Sequence, residues 1–181
     1  MIFIQFTGLS GAGKSTIAQH AKLLLEKAGH KVEVIDADVY RPVLCPDLGY
    51  STKDRMENIR RLGFVGNLLA KNGVIAILAA INPYESIRRE IVANGGIVKT
   101  VWINCDLDTL MKRDTKGLYG KAQLPDGHSD KIYNLTGVND IYEPPLKPDL
   151  IINTQSEDID TSVKKVVDFI NIEIAGVAFS P

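Results

Sequence analysis

An apolar run, Ile2 to Phe6, gives way at once to GLSGAGKST (Gly8 to Thr16) and then to a helical pattern, and few folds begin this way. Gly8, Leu9, Ser10, Gly11, Ala12, Gly13, Lys14 and Ser15 fit G-x-x-x-x-G-K-[ST], with Thr16 following. Glycines let the backbone curl so that successive N–H groups point at one anion. The lysine then reaches β- and γ-phosphates, the Ser15 hydroxyl is placed to ligate Mg²⁺, and the helix beginning there adds its positive end. At ordinary glycine usage a chance match in a chain this size is on the order of one in a hundred. This match also lies between a strand and a helix, as the mechanism requires. The stretch is read as a site for the phosphates of a nucleotide with Mg²⁺.

Strand and helix patterns go on alternating. Ser15 to Lys27 places Ile17, Ala18, Ala21, Leu24 and Leu25 on one helical face and closes at Gly29. Lys31 to Asp36 reads as a second strand. Ser51 to Asp54, STKD, resembles a capping box before a helix whose buried stripe is Ile59, Leu62, Val65 and Leu69. Gly73 to Ile81, Lys99 to Cys105 and Asp149 to Asn153 are the remaining strands. Helices are expected after Pro83-Tyr84, over Leu107 to Arg113, and over Asp158 to Ile174. Apolar strands separated by helices predict a parallel sheet covered on both faces, with ligands outside the C-terminal strand ends. Thr115 to Pro148 has little periodicity, and so long a loop in a compact domain reads as a lid or binding loop. The expected fold is α/β: a three-layer P-loop NTPase architecture with a five-stranded parallel sheet, helices on both faces and a lid loop. One domain is expected over residues 1–181, with the lid near 115–148.

Charge narrows the partners. Twenty-one basic against twenty-two acidic residues leave a net charge of -1, so no global field favours nucleic acid or an anionic membrane. No apolar run reaches the length of a membrane span, and no secretion signal precedes the first strand. Asn134 to Thr136 then fits the glycosylation pattern by chance. Cys45 and Cys105 suit neither a disulfide scaffold nor a metal site, which points to a reducing cytoplasm. His20, His30 and His128 cluster with nothing and are expected on the surface.

A phosphate loop is shared by kinases, switch GTPases and motor ATPases. Asp114 to Gly117, DTKG, fits D-x-x-G formally but follows no apolar strand, no N-K-x-D guanine motif occurs, and the chain is short for a motor. A small-molecule kinase remains. At the end of the second strand, IDADVYR (Ile35 to Arg41) delivers Asp36 and Asp38 to the crevice. Asp38 suits an acceptor hydroxyl, which it would orient or deprotonate, and Asp36 the metal or Lys14; the bland alternative is that the pair caps the next helix. Arg55 and Asn58, three apart on a helix, present a guanidinium fork and an amide on one face. Arg60 and Arg61 read as solvated.

At this point the residues resemble a family. GLSGAGKST, IDADVYR, DLGYSTKDRMENIRR (Asp47 to Arg61), RDTKGLYGKA (Arg113 to Ala122), TGVNDIYEPP (Thr136 to Pro145) and INT (Ile152 to Thr154) together look like adenylyl-sulfate kinase. The resemblance implies ATP-dependent phosphorylation of the 3'-hydroxyl of adenosine 5'-phosphosulfate in sulfate assimilation, a homodimer and a mobile lid. It implies Lys14, Asp38 and Lys116 as catalytic residues. Asp38, Arg41, Arg55 and Asn58 would serve the acceptor nucleotide, and Lys116, Gly117, Leu118 and Lys121 would close over both substrates. Arg113 and Thr154 would flank the ATP base.

The departures fall on the acceptor side. The family's paired aromatic walls are Tyr50 and Leu135 here, so one stacking face is lost. Its usual S-P-Y-R is Asn82-Pro83-Tyr84-Glu85, its D-G-D is Asp36-Ala37-Asp38, the stretch Gln123 to Asn134 is longer, and Gly120 replaces a common lysine. Two acceptors stay open: adenosine 5'-phosphosulfate, or a pyrimidine nucleotide such as cytidine diphosphoramidate, used in capsule modification. A non-catalytic nucleotide-binding domain is a third reading. Lys14, Ser15, Asp38, Arg55 and Lys116 all stand against it.

Overall fold

The computed structural model describes residues 1–178. The C-terminal stretch Ala175 to Pro181 has no readable sequence pattern and is expected to fray; Ala175 to Ala178 instead continue the last helix, and residues 179–181 lie outside the described residues. Five strands, β1 (Ile2–Thr7), β2 (Val32–Asp36), β3 (Ile75–Ala79), β4 (Ile97–Asn104) and β5 (Leu150–Asn153), form one parallel sheet in the order β2-β3-β1-β4-β5. The central strand β1 is buried at all six positions, as apolar strands inside a covered parallel sheet must be.

Side-chain alternation along β1 assigns the two faces. Ile2, Ile4 and Phe6 pack with Ile17, Ala18, Ala21 and Leu25 of α1 (Lys14–Lys27) and with Val163, Val166 and Ile170 of α7 (Ile159–Ala178). Phe3 packs on the other face with Ile59, Leu62 and Ala70 of α3 (Thr52–Lys71) and Ile87 and Ile91 of α4 (Glu85–Asn94). Helices therefore cover both faces, as the sequence predicts.

Local differences have local causes. Leu24, expected on the buried face of α1, is exposed, because the sheet contacts only the arc of Ile17, Ala18, Ala21 and Leu25. On α3, Ile59 and Leu62 are buried but Val65 and Leu69 only partly so. Gly63, Gly66 and Ala70 make the closest approach instead, with Gly66 against the Phe3 ring. Ser51 caps α3: its hydroxyl accepts from the Asp54 N–H (3.2 Å) and donates to the Asp54 carboxylate (2.8 Å). Arg60 and Arg61 are not merely solvated. Arg60 bridges Glu57 and Glu90, and Arg61 grips Asp47 with both terminal nitrogens. The proline-containing helix α2 (Ala37–Leu44) begins directly after β2, and α5 (Leu107–Arg113) runs into a five-residue helix, α6 (Leu118–Ala122), inside the stretch expected to be loop.

The register brings three strand ends together. Phe6 pairs with Ala79, and Asp36 pairs with Ala79 from the opposite side. The phosphate loop after β1, the acidic pair after β2 and the turn at Asn82 after β3 thus open onto one crevice.

Candidate active site

That crevice is a cleft of about 670 Å³ lined by Ser10, Gly11, Gly13, Lys14, Ser15 and Thr16 on one wall. Asp36, Asp38, Arg41, Tyr50, Arg55 and Asn58 line the other, and Lys116, Leu118, Leu135 and Thr136 close over it. Its size is that of an ordinary small-molecule site.

The phosphate-loop wall is built by glycine geometry. Gly11 and Gly13 have φ +75° and +98°, a region L side chains rarely adopt, and a Cβ on Gly8 would run into the Ile103 carbonyl oxygen. Lys14 is almost fully buried, and its ammonium donates to the Gly8 (2.9 Å) and Leu9 (2.7 Å) carbonyls. Burial lowers its pKa to about 8; the positive charge of Lys116 pushes the same way, and Asp38 and Asp36 oppose it. Arg113 donates to the Thr154 carbonyl (2.9 Å), and the Thr154 hydroxyl donates to the Ala12 carbonyl (3.0 Å), so these two residues gather at the far end of the loop, outside the cleft lining.

On the opposite wall, Asp36 does cap α2, accepting the Asp38 N–H at 2.9 Å. This leaves the Asp38 carboxylate free on the first turn, where Lys116 donates to it at 2.5 Å. The guanidiniums of Arg41 and Arg55 lie 4.4 and 5.6 Å from the centroid of the Tyr50 ring, a shared cation–π contact. Arg55 also donates to the Asn134 carbonyl (2.6 Å) and the Thr136 hydroxyl (3.0 Å) and pairs with Asp140 (3.2 Å). Asn58 is buried with its Oδ1 lacking a hydrogen-bond partner among the described residues. Leu135 is buried at the cleft wall and at the edge of the main core.

Gly8, Ala12, Gly117 and Lys121 do not line the cleft. Gly117, at φ +65°, is the left-handed residue that starts α6, and the Lys121 carbonyl accepts the Ile132 N–H (3.2 Å) within the 115–148 stretch. His20 and His128 are exposed, and His30 is half-buried. Around the cleft lies a buried polar network that local sequence patterns do not mark, apart from Asn82, already noted as a departure. Arg88, fully buried, donates to the Asn82 carbonyl (2.6 Å), the Glu143 carbonyl (2.6 Å) and the Glu85 carboxylate (2.9 Å), tying the turn at Asn82 to the end of the 115–148 stretch. Asn82, at φ +46°, donates its amide to the Gln5 side-chain oxygen (3.0 Å). The Tyr142 and Thr7 hydroxyls meet at 3.0 Å. Their partners are mostly dozens of residues away, which is why no local pattern marks them.

Residues 1–153 match the family model described as adenylylsulphate kinase. The chain is 48% identical to an adenylyl-sulfate kinase of Chloroflexus aurantiacus, over 84% of this chain and 80% of that protein. It is 45% identical to a probable adenylyl-sulfate kinase of Synechocystis sp., over 91% and 90%. Among solved structures it superposes on the Mycobacterium tuberculosis APS kinase in complex with AMPPNP and APS, with a TM-score of 0.86 and 36% identity over 93% and 96% of the two chains.

Proposed function

The chain belongs to the adenylylsulphate kinase family, and from that premise we propose how its cleft works. The protein transfers the γ-phosphoryl group of ATP to the ribose 3'-hydroxyl of adenosine 5'-phosphosulfate, giving 3'-phosphoadenylyl sulfate and ADP. One observation carries this reading: the phosphate loop and the Asp38–Arg41–Tyr50–Arg55–Asn58 wall face each other across a single cleft.

ATP lies along Gly8 to Thr16, its base end between Arg113 and Thr154. The acceptor lies opposite, its base against Tyr50 and Leu135 and its anionic end toward Arg41 and Arg55. Asp38 accepts a hydrogen bond from the 3'-hydroxyl and aims that oxygen at the γ-phosphorus. The new oxygen–phosphorus bond forms as the bond to the β–γ bridging oxygen breaks; the hydroxyl proton passes to Asp38 and then to solvent. Lys14 and Lys116 neutralise the charge that gathers on the transferring oxygens, the main catalytic contribution in this reaction class.

The residues fit Mg²⁺. Ser15 offers a hydroxyl and Asp36 and Asp38 carboxylates at the same cleft, and no cluster of three or more acidic, histidine or cysteine ligands occurs among the described residues. So few protein oxygens, completed by phosphate and water, suit this ion. Bound there with ATP, it would supply charge neutralisation to the β- and γ-oxygens.

A second acceptor, cytidine diphosphoramidate, is favoured by one feature only, the aliphatic Leu135 where a second aromatic wall is expected. ATP consumption with each acceptor in parallel decides between them. The expected result is a kcat/KM for the adenylyl sulfate higher by roughly a hundredfold or more, about 2.7 kcal/mol; the reverse preference would replace this reading. A single kinase domain with residues about 115–148 as its lid, acting as a homodimer, completes the proposal, and sedimentation at twice the chain mass is expected. No helix among the described residues is long and apolar enough to cross a membrane. Two free, buried cysteines suit the cytoplasm, where ATP is supplied.

A further inference from the structure

The lid lysine, Lys116, sits in an exposed turn and still reaches Asp38 at 2.5 Å. An exposed lysine on a flexible stem normally gains little from such a pair, because its entropy and the solvent oppose a fixed geometry. Something else must hold the turn. Two built contacts flank it. Asp114, at φ +27°, accepts the Tyr119 N–H (3.0 Å) and the Gly120 N–H (2.9 Å) on its two carboxylate oxygens, while its own carbonyl accepts the Gly117 N–H (2.9 Å). Residues 114–120 are thereby closed into one compact unit. These hydrogen bonds hold the Asp114 carboxyl below its usual range, so it stays ionised.

Tyr119 fixes that unit to the donor site. Its ring is buried in the main core and its hydroxyl donates to the carbonyl of Ser10, inside the phosphate loop, at 2.8 Å. A phenylalanine would bury the same ring, so packing alone does not call for the hydroxyl. The phenol's pKa is pushed up to about 12, chiefly by burial, and it remains a donor at any working pH. Thr115 leans on the same loop, since a Cβ at Gly11 would lie 3.5 Å from its hydroxyl.

We propose that Tyr119, with Asp114, is a positioning residue that registers Lys116 against the phosphate loop, so that the lid lysine stands over Asp38 and the transferring phosphoryl group. The inference rests on the role given to Lys116 above. It goes beyond it by naming what aims the lysine and by making that aim depend on the donor loop itself.

A double-mutant cycle tests it, using Tyr119→Phe, Lys116→Met and both together in the full chain, with kcat and the KM of each substrate measured. Tyr119→Phe is expected to lower kcat by about tenfold with little change in the KM for ATP, as for a loss felt in the transition state. The double variant should be no slower than Lys116→Met alone, because the two act on one interaction. Additive losses would overturn the inference and leave Tyr119 a structural residue, as would a Tyr119→Phe enzyme of normal kcat. If Lys116→Met itself were fully active, the role of Lys116 would fail first and the inference with it; the single variant makes that case distinguishable. Should Tyr119→Phe not fold, Asp114→Asn, which weakens the same turn from the surface, takes its place in the cycle with the same expected non-additivity.

Discussion

At the scale of single residues, Lys14 combines opposed demands. It is buried before any phosphate arrives, and its pKa lies near 8 instead of 10.5. Below pH 8 the ammonium is present to meet ATP. As pH rises through that value the free enzyme loses the charge, and kcat/KM for ATP should fall with a midpoint near pH 8. Stability moves the other way. Between about pH 8 and 10.5 the unfolded chain binds more protons at this lysine than the folded one, so the ligand-free protein gains stability with rising pH. Denaturant midpoints across that window should show a rise that Lys14→Met lacks, and the same variant should lose roughly a hundredfold or more in kcat/KM. The loop was legible because its chemistry is contiguous in sequence. Leu135 was legible only as a departure. Its burial at the cleft gives the departure a consequence: Leu135→Phe should change the KM for the acceptor nucleotide and leave the KM for ATP alone, measured by varying each substrate in turn. The roles of Tyr119 and Arg88 could not be read, because Tyr119 reaches the Ser10 carbonyl and Arg88 the Glu143 carbonyl, both far away in sequence.

Among elements, legibility followed the strength of the local pattern. The five strands and α1, α3 and α7 carry long apolar periodicities, and the structure places all of them within a few residues of expectation. α2 breaks the rules with Pro42 inside it, tolerable where Asp36 caps the start and no residue of the helix is buried. α6 has only five residues, too few for a period, and is held because Asp114 accepts the Tyr119 and Gly120 N–H groups of its first turn and Tyr119 anchors it. The pattern on α3 was read correctly as helical but incompletely as a contact surface. A stripe of large residues was expected, and glycines make the closest approach. Gly66 is the sharpest case: a Cβ there would come within 2.6 Å of the Phe3 ring tip, in a core with no room to yield. Gly66→Ala should therefore destabilise by about 1–3 kcal/mol despite its better helix propensity. For a chain this size that lowers Tm by roughly 2–12 °C. Gly96→Ala, whose Cβ would meet nothing within 4 Å, is the control and should be close to neutral. Equal shifts for the two would mean that helix α3 does not sit against β1 as described.

For the molecule as a whole, the sheet order was not legible from local patterns, since nothing in a strand names its neighbour, yet it decides where the cleft opens. Placing β1 between β3 and β4, with β2 beyond β3, sets the phosphate loop beside the ends that carry Asn82 and Asp36. The stretch proposed as a lid then joins the two walls of the cleft mechanically. Tyr119 holds it to Ser10, Tyr142 to Thr7, and Arg55 to Asn134, Thr136 and Asp140. A nucleotide on the loop thus contacts a site to which the sheet, α1 and the lid all contribute, and which the unfolded chain does not possess. Ligand binding and global stability must be linked. A non-hydrolysable ATP analogue with Mg²⁺, at about a hundredfold above its Kd, should add roughly 2.7 kcal/mol to the folded state. In a chain of this length that raises Tm by about 5–11 °C. Lys14→Met should lose most of that shift at the same analogue concentration, because Nζ supplies the charge at the centre of the loop. Tyr119→Phe should keep most of it, since the donor loop is intact and only the lid's registration is altered. Thermal melts of the three proteins with and without analogue make the comparison. Shifts of equal size in the native chain and Lys14→Met would put the nucleotide somewhere other than Gly8 to Thr16, and the assignment of the donor wall would fall with it.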